Sequence, residues 1–551
     1  MKPAPFALVF LLVQVLTLTS SALPYQGAGA SVEGLVVRAG TSEPMRGASV
    51  RLGGTNAISN SAPAATTNDS GKFKFSDVAP GAYHISVAHE GYLRAEHGER
   101  GPGRSGTRVT VRAGQEVKDI VIGLTPTGAI SGRVYRRDRE PLKNAMVQLL
   151  KYQYVDGRRM LMIWQQARTS DGGEYRFNGL HPGPYVISAL PAERRAAANG
   201  PRAPVQIEPG EAYLPVYFPG TTDVDAAAPI DLLPGVDYSG VDLNVMEQDA
   251  LRLRGQVIDG VTGLPPSAFF ITLSPRERRT RIAGSTAPRH VPVAADGTFT
   301  VGAVPPGLYD LVATLGDGSG RLSARVQVSV GADVENVRLV LQPGFHVSGR
   351  VTITDLPPDE QDANMRNVRV QLLHEPYIAQ VAPPATTVRP DGRFVFLGVM
   401  PGDYRVQVTT GFGSYVSYAR LGGADILNSV VNITGSDELD IRLNPKVATL
   451  DATVFDDKNA PEEAIQVVLV PDYPNRRRLD LYRTGLTNGS GHVHLKEIEP
   501  GDYKLFAWEF LESGAWQDPD FIQRHEDLGR RVHLGQSAGE NVNLTVIPAR
   551  R

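Results

Sequence analysis

Five times along the chain a stretch of apolar and polar alternation recurs in the same frame. Phe73 and Phe75, Tyr175 and Phe177, Phe299 and Val301, Phe394 and Phe396, and Val493 and Leu495 share one parity. Lys72 and Lys74, Arg176, Arg393, and His492 and His494 share the other. A period of two marks a strand with one face in a core and one in water. Each stretch opens on a turn cluster ending in glycine (Gly71, Gly173, Gly297, Gly392, Gly491), which supplies the positive φ of a tight turn. Ten residues further on, each is followed by Gly81, Gly183, Gly307, Gly402 or Gly501, preceded by proline, and then by Tyr83, Tyr185, Tyr309, Tyr404 or Tyr503. Proline fixes φ in a turn. Alternation then resumes, as in Tyr83, Ile85, Val87 and Tyr404, Val406, Val408. The spacing predicts a two-stranded unit, hairpin-like in sequence yet able to bridge two sheets.

Around this unit each copy carries further short strands. Gly34-Leu35-Val36, Gly132-Arg133-Val134, Gly255-Gln256-Val257, Gly349-Arg350-Val351 and the weaker Ala452-Thr453-Val454 open the copies. Ile120-Ile122-Leu124, Val337-Leu339-Leu341, Leu439-Ile441-Leu443 and Val542-Leu544-Val546 close them. Roughly seven strands in about a hundred residues predict a self-contained antiparallel β-sandwich. A repeat of this length is too long for a solenoid unit that borrows its neighbour's core. The chain thus reads as all-β, a tandem array of five sandwich domains over 31–125, 126–248, 249–344, 345–445 and 446–551. Helical periodicity after residue 22 is confined to a weak stretch near 518–528.

The first copy, with Gly47-Ala48-Ser49-Val50, Thr67, Asp69, Gly71, Phe73, Phe75, Val78, Pro80, Gly81 and Tyr83, resembles the carboxypeptidase regulatory-like domain. All five copies keep the Pro-Gly-x-Tyr core, so the resemblance extends over nearly all of the chain after the leader. It implies an Ig/transthyretin-like or carbohydrate-binding-like sandwich and implies no particular activity, since such modules are appended to many proteins. The stretch from Ala507-Trp508-Glu509 to Trp516-Gln517-Asp518-Pro519 is similar to the last module of secreted bacterial proteins built only from such repeats.

Residues 1–22 have the plan of a secretory signal peptide: Lys2, an apolar run from Phe6 to Leu16, and Ser20-Ser21-Ala22. The run is short for a bilayer span, and no later stretch approaches one. A secreted, periplasmic or cell-surface protein, with no membrane span after removal of the leader, is expected. With 0 cysteines no disulfide staples the sandwiches, and each relies on its own core. A net charge of −3 argues against nucleic acid as a partner. The basic clusters Arg276–Arg281 and Arg476-Arg477-Arg478 are read as solvated loop charge.

No phosphate loop, dinucleotide fingerprint or Gly-x-Ser-x-Gly elbow is present, and five modules leave no room for a separate catalytic domain. No catalytic residue, metal site or cofactor is therefore assigned. His494 and Glu497 have zinc-motif letters, but an offset of three along a strand points them to opposite sides. The opening strands lack the lysine that an isopeptide crosslink to the closing strand requires. Binding remains, through aromatic platforms on insertions. The candidates are Trp164, Tyr217, Trp508, Trp516 and Asp518, each weighed against a role in anchoring its loop. The long pair of strands meeting at Asp156-Gly157 offers an edge for pairing with another chain. Three readings follow: first, carbohydrate-binding-like modules for a polysaccharide, which need exposed tryptophans; second, a spacer and protein-interaction scaffold, in which tryptophans are buried; third, an accessory to a peptidase or glycosidase made as a separate chain. A polysaccharide or a cell-surface protein is the expected partner.

Overall fold

The structure, a computed structural model, describes residues 29–54, 63–99, 101, 106–155, 157–191, 212–213, 215–245, 247–248, 251–266, 269–276, 280–281, 289–316, 318–375 and 381–549. The leader expected at residues 1–22 and most of residues 190–228, which the repeat spacing leaves as an insertion in the second copy, lie outside these residues. The chain is almost entirely β and forms two compact units, residues up to 87 with 108–123, and residues 88–107 with 124–551.

In the first unit the opening strand Ala30–Arg38 lies between Lys72–Val78 and Glu116–Leu124, while Ser49–Gly54 and Gly81–Ala88 pair in a second sheet. The Pro-Gly turn therefore carries the chain from one sheet to the other. Within the second unit the plan recurs in each remaining copy. Opening strand Phe345–Ile353, for example, pairs antiparallel with Arg393–Val399 and parallel with Glu438–Asn444, and Arg369–His374 pairs with Gly402–Thr409 in the facing sheet. In the third copy Leu322–Val330 pairs with both Gly307–Leu315 and Val334–Pro343, so the two sheets join into one of seven strands. Separate apolar clusters are centred on Ile130 and Tyr185, on Leu253 and Tyr309, on Val347 and Tyr404, and on Leu450 and Tyr503. None of these clusters crosses a repeat boundary.

Three devices set this geometry. The tyrosine of every Pro-Gly-x-Tyr donates its hydroxyl to the carbonyl four residues earlier, just ahead of the proline. The acceptors are Ala79, His181, Pro305, Met400 and Glu499, at 2.8, 2.9, 2.9, 2.7 and 2.7 Å. The bond fastens the sheet-to-sheet turn to the strand it launches, in the manner of a tyrosine corner. Next, the opening-strand glycine faces a ring: Gly34 opposes Phe73, Gly132 Tyr175, Gly255 Phe299 and Gly349 Phe394. A Cβ on Gly349 would stand 2.3 Å from the Phe394 ring. The fifth copy substitutes both partners, with Ala452 opposite Val493. Finally, every antiparallel pairing of the opening strand with the strand after the turn glycine shifts register near the opening strand's start, and Asp77, Gly179, Gly398 and Glu497 take φ of 56°, 68°, 64° and 55° there. This bulge bends the strand into the corner.

Helix occurs at Pro519–Arg524, inside the expected stretch, and at Pro358–Met365, which alternation did not reveal because among its described side chains only Met365 joins a core cluster. No helix among the described residues is long and apolar enough to cross a membrane.

Candidate functional site

The candidate residues fall in three places. Trp508 ends the strand Gly501–Trp508 of the fifth copy, on the face turned away from Leu505 and Ala507. Unlike a solvent-facing strand residue it is 3% exposed, because residues 509–528 fold back over the sheet. Phe506, Trp508, Leu511, Ala515 and Ile522 form a second apolar cluster there, with Trp516 and Phe521 packed against it. Trp508 stacks on Phe506 at 4.7 Å and 7° between ring planes, and the His525 edge meets it at 6.4 Å. Asp518 accepts the Asp520 N–H at 2.9 Å and so caps the Pro519–Arg524 helix. Its carboxylate is engaged by the fold.

Tyr217 is 2% exposed, packed with Leu150, Leu161 and Val186, and burial pushes its hydroxyl pKa up. Neither Trp508 nor Tyr217 presents a face to solvent, which corrects their candidacy as stacking platforms. The physical reason is the same in both: an insertion or hairpin seals the outer side of the sheet. Trp164 differs. It is 41% exposed, with the Lys151 Nζ 5.5 Å from its ring centroid and the His181 edge at 6.3 Å. The structure brings Trp508, Trp516 and Asp518 together and leaves Trp164 and Tyr217 on the second copy.

Charge under the fifth-copy cover was missed from sequence. Arg476 and Arg478, expected as solvated loop charge, are 2% and 8% exposed. Arg476 donates to Glu526 Oε1 at 2.7 Å, and Lys504 donates to the same oxygen. These bonds hold the Glu526 pKa down to about 2. Arg478 forks onto Glu499 at 3.0 and 2.9 Å and onto Asp480 at 2.7 Å. Composition could not show this, because the acids that bury the arginines lie up to 50 residues away. Of the other basic cluster, Arg276 lies 3.7 Å from Asp310.

His492 and His494 share the Oδ1 of Asp451 at 2.9 Å each. Glu497 does not turn to the opposite side from His494 as an unbroken strand would require, because the bulge at Glu497 interrupts the alternation and leaves it exposed. Among the described residues no group of three or more His, Cys, Asp or Glu side chains is placed to hold a metal.

The hairpin of the second copy, Met146–Val155 and Arg158–Arg168, is as long as expected, yet its edge is met by the chain itself: Leu161 and Met162 pair in parallel with Thr280 and Arg281. Its tip reaches the fifth-copy cover. Tyr154 packs against the Trp508 cluster, its ring 6.3 Å from Phe521. A Cβ on Gly157 would fall 2.6 Å from the Gln517 carbonyl oxygen, so only glycine permits this approach.

Residues 31–125 match the family model of the carboxypeptidase regulatory-like domain. None of the curated proteins compared matches the chain. Among solved structures it is similar to a streptococcal ancillary pilin, at 14% identity over 57% of this chain and 99% of that one, with a TM-score of 0.21. It is also similar to a shaft pilin of Lactobacillus rhamnosus GG, at 13% identity over 40% and 97%, with a TM-score of 0.19. Two B repeat units of the collagen binding protein of Staphylococcus aureus share 12% identity over 71% and 94%, with a TM-score of 0.14.

Proposed function

We propose that the protein is a non-catalytic, exported array of five β-sandwich domains that serves as a structural and protein-interaction scaffold. The observation that carries this reading is the fate of the rings a glycan platform needs: Trp508 and Tyr217 are 3% and 2% exposed, and Trp516 packs against the same cluster as Trp508. Aromatic area sealed inside insertions stabilises the geometry between modules and offers nothing for a sugar to stack on. The Tyr154 contact with the fifth copy supports the same reading, since it joins repeats distant in sequence. The leader read in residues 1–22 supports export, and the likeness of residues 31–125 to a regulatory-like domain is in keeping with a module that carries no chemistry of its own.

A carbohydrate-binding reading rests on one observation, the exposed Trp164 with Lys151 beside it. Titration of the mature protein with polysaccharides and peptidoglycan fragments, followed by tryptophan fluorescence and acrylamide quenching, separates the two. A scaffold gives no saturable shift, and Trp164→Phe removes its most exposed emitter, leaving the half-buried Trp516 as the residual quenchable signal. A saturable shift abolished by Trp164→Ala in a folded protein would overturn it in favour of a glycan site on the second repeat.

A further inference from the structure

Three residues beyond each corner tyrosine the strand points away from its own core. The first, second and fourth copies place Ser86, Ser188 and Gln407 there, whereas the third and fifth place Val312 and Phe506. The fifth copy covers Phe506 with its own insertion. Val312, at 2% exposure, is covered by Val381 and Met400, which belong to the fourth copy. The same outward face carries Phe270, which is 51% exposed, and Thr272, whose hydroxyl lies 3.3 Å from His290 Nδ1. Between this face and the Val381 segment runs a cleft of about 530 Å³, with Arg321 in its wall. That is the size range of small-molecule sites, which favour joints between modules.

Arg321 belongs to the joint itself. Its carbonyl accepts the Gly344 N–H at 3.2 Å, and a Cβ on Gly398 of the fourth copy would lie 2.8 Å from its own Cβ. Its Nε is buried without a hydrogen bond, and among the described residues no carboxylate pairs with its guanidinium. The local acid, Asp310, is committed to Arg325 at 3.1 and 3.2 Å and to Arg276 at 3.7 Å. A guanidinium stays charged in any such setting, and a buried donor without an acceptor costs free energy. The chemistry that satisfies it is a planar anion, which the guanidinium fork grips through two hydrogen bonds.

We propose that this cleft between the third and fourth repeats binds a small carboxylate with an apolar or ring-shaped body. The carboxylate engages Arg321, the body lies on Phe270 and against Val312 and Val381, and the Thr272–His290 pair offers polar contacts to its rim. Because two repeats make the cleft, an occupant draws them together and fixes the angle of that joint. The site lies apart from Trp164 and does not depend on how that residue is used.

Isothermal titration of the whole mature protein tests this with two acids, benzoate and D-glucuronate, and two neutral counterparts, benzamide and D-glucose. The proposal expects saturable binding of at least one acid, with its neutral counterpart about tenfold weaker or more. Arg321→Gln is expected to weaken the acid by a similar factor, and Phe270→Ala, at an exposed position, to weaken it several-fold with an unchanged circular dichroism spectrum. Preference for benzoate would mark an aromatic acid as the natural class, and preference for glucuronate a sugar acid. If neither acid binds, if acid and neutral compound bind alike, or if folded Arg321→Gln binds as the parent does, the proposal fails.

Discussion

A single hydroxyl recurs at the base of every repeat. The alternation of apolar residues shows that Tyr503 faces the core, but it cannot show where the hydroxyl goes, because a period of two specifies a face and leaves the end of a long side chain undetermined. The structure sends it to the Glu499 carbonyl, 2.7 Å away, with the residue 3% exposed. Tyr503→Phe keeps the ring and leaves that carbonyl without its bond. It should destabilise the fifth repeat by about 1 kcal/mol, read as an earlier denaturant midpoint of tryptophan fluorescence. An unchanged midpoint would make the hydroxyl incidental. His374 is a second case. The structure buries it at 6% exposure with its ring 4.7 Å from that of Tyr404. Burial, and then the Arg325 charge, lower its pKa to about 4. The unfolded chain takes up this proton near the ordinary imidazole value of 6.5, so the folded state has its full stability above that pH. Between about pH 6.5 and 4 the contribution is lost as pH falls, amounting to roughly 3 kcal/mol at most. His374→Phe should flatten that part of the pH profile, followed by hydrogen exchange in 345–445.

Strands and their pairings were legible wherever a residue's neighbours in sequence are also its environment. The strand after the turn glycine, and its turn, were readable in all five copies for that reason, and the Pro358–Met365 helix was not, because a surface helix in which Met365 reaches the core leaves no period of 3.6. The pairing of glycine with ring across two strands is a tertiary fact that the sequence holds only as covariation between repeats: four copies have glycine opposite a ring, and the fifth has Ala452 opposite Val493. Steric exchange of this kind predicts coupling. Gly349→Ala places a methyl 2.3 Å from the Phe394 ring and 2.6 Å from the Leu439 carbonyl oxygen, and should cost about 2 kcal/mol or more. Adding Phe394→Val, which reproduces the fifth copy, should recover about 1 kcal/mol relative to the sum of the single changes. Exchange of amides in 345–445 reads the local opening energy, and strict additivity would show that the two positions do not press on each other. The fifth-copy cover has its own pH signature. Because the folded Glu526 pKa is about 2 against an ordinary carboxyl value of 4.5, its ion pairs contribute fully above 4.5 and are lost as pH falls towards 2. Glu526→Gln should remove this acid sensitivity from the tryptophan signal while leaving the profile above pH 5 parallel to the parent's.

Contacts between distant repeats belong to the whole molecule, and they are where sequence reading stopped. Period and spacing fix what each copy does inside itself, but nothing in residues 146–168 announces that their hairpin will find its own chain. The hairpin was legible as an unusually long edge suited to pairing. Its partners turned out to be the Thr280–Arg281 segment and the insertion over Trp508. An intramolecular seat of this kind protects an edge that would otherwise recruit other chains. If the seat is an energetic contact and not mere proximity, Tyr154 and Phe521, with rings 6.3 Å apart, must depend on each other. In a Trp164→Phe background only Trp508 and Trp516 report, and both lie in the cluster that Tyr154 touches. The double-mutant cycle of Tyr154→Ala and Phe521→Ala, followed by their fluorescence through denaturation, should then show a coupling of about 0.5–1.5 kcal/mol. Fluorescence isolates the transition of this cluster, so unfolding of the other repeats does not enter the measurement. Additive single changes would mean that the second and fifth repeats are stabilised independently, and the scaffold would lose an energetic contact between modules distant in sequence.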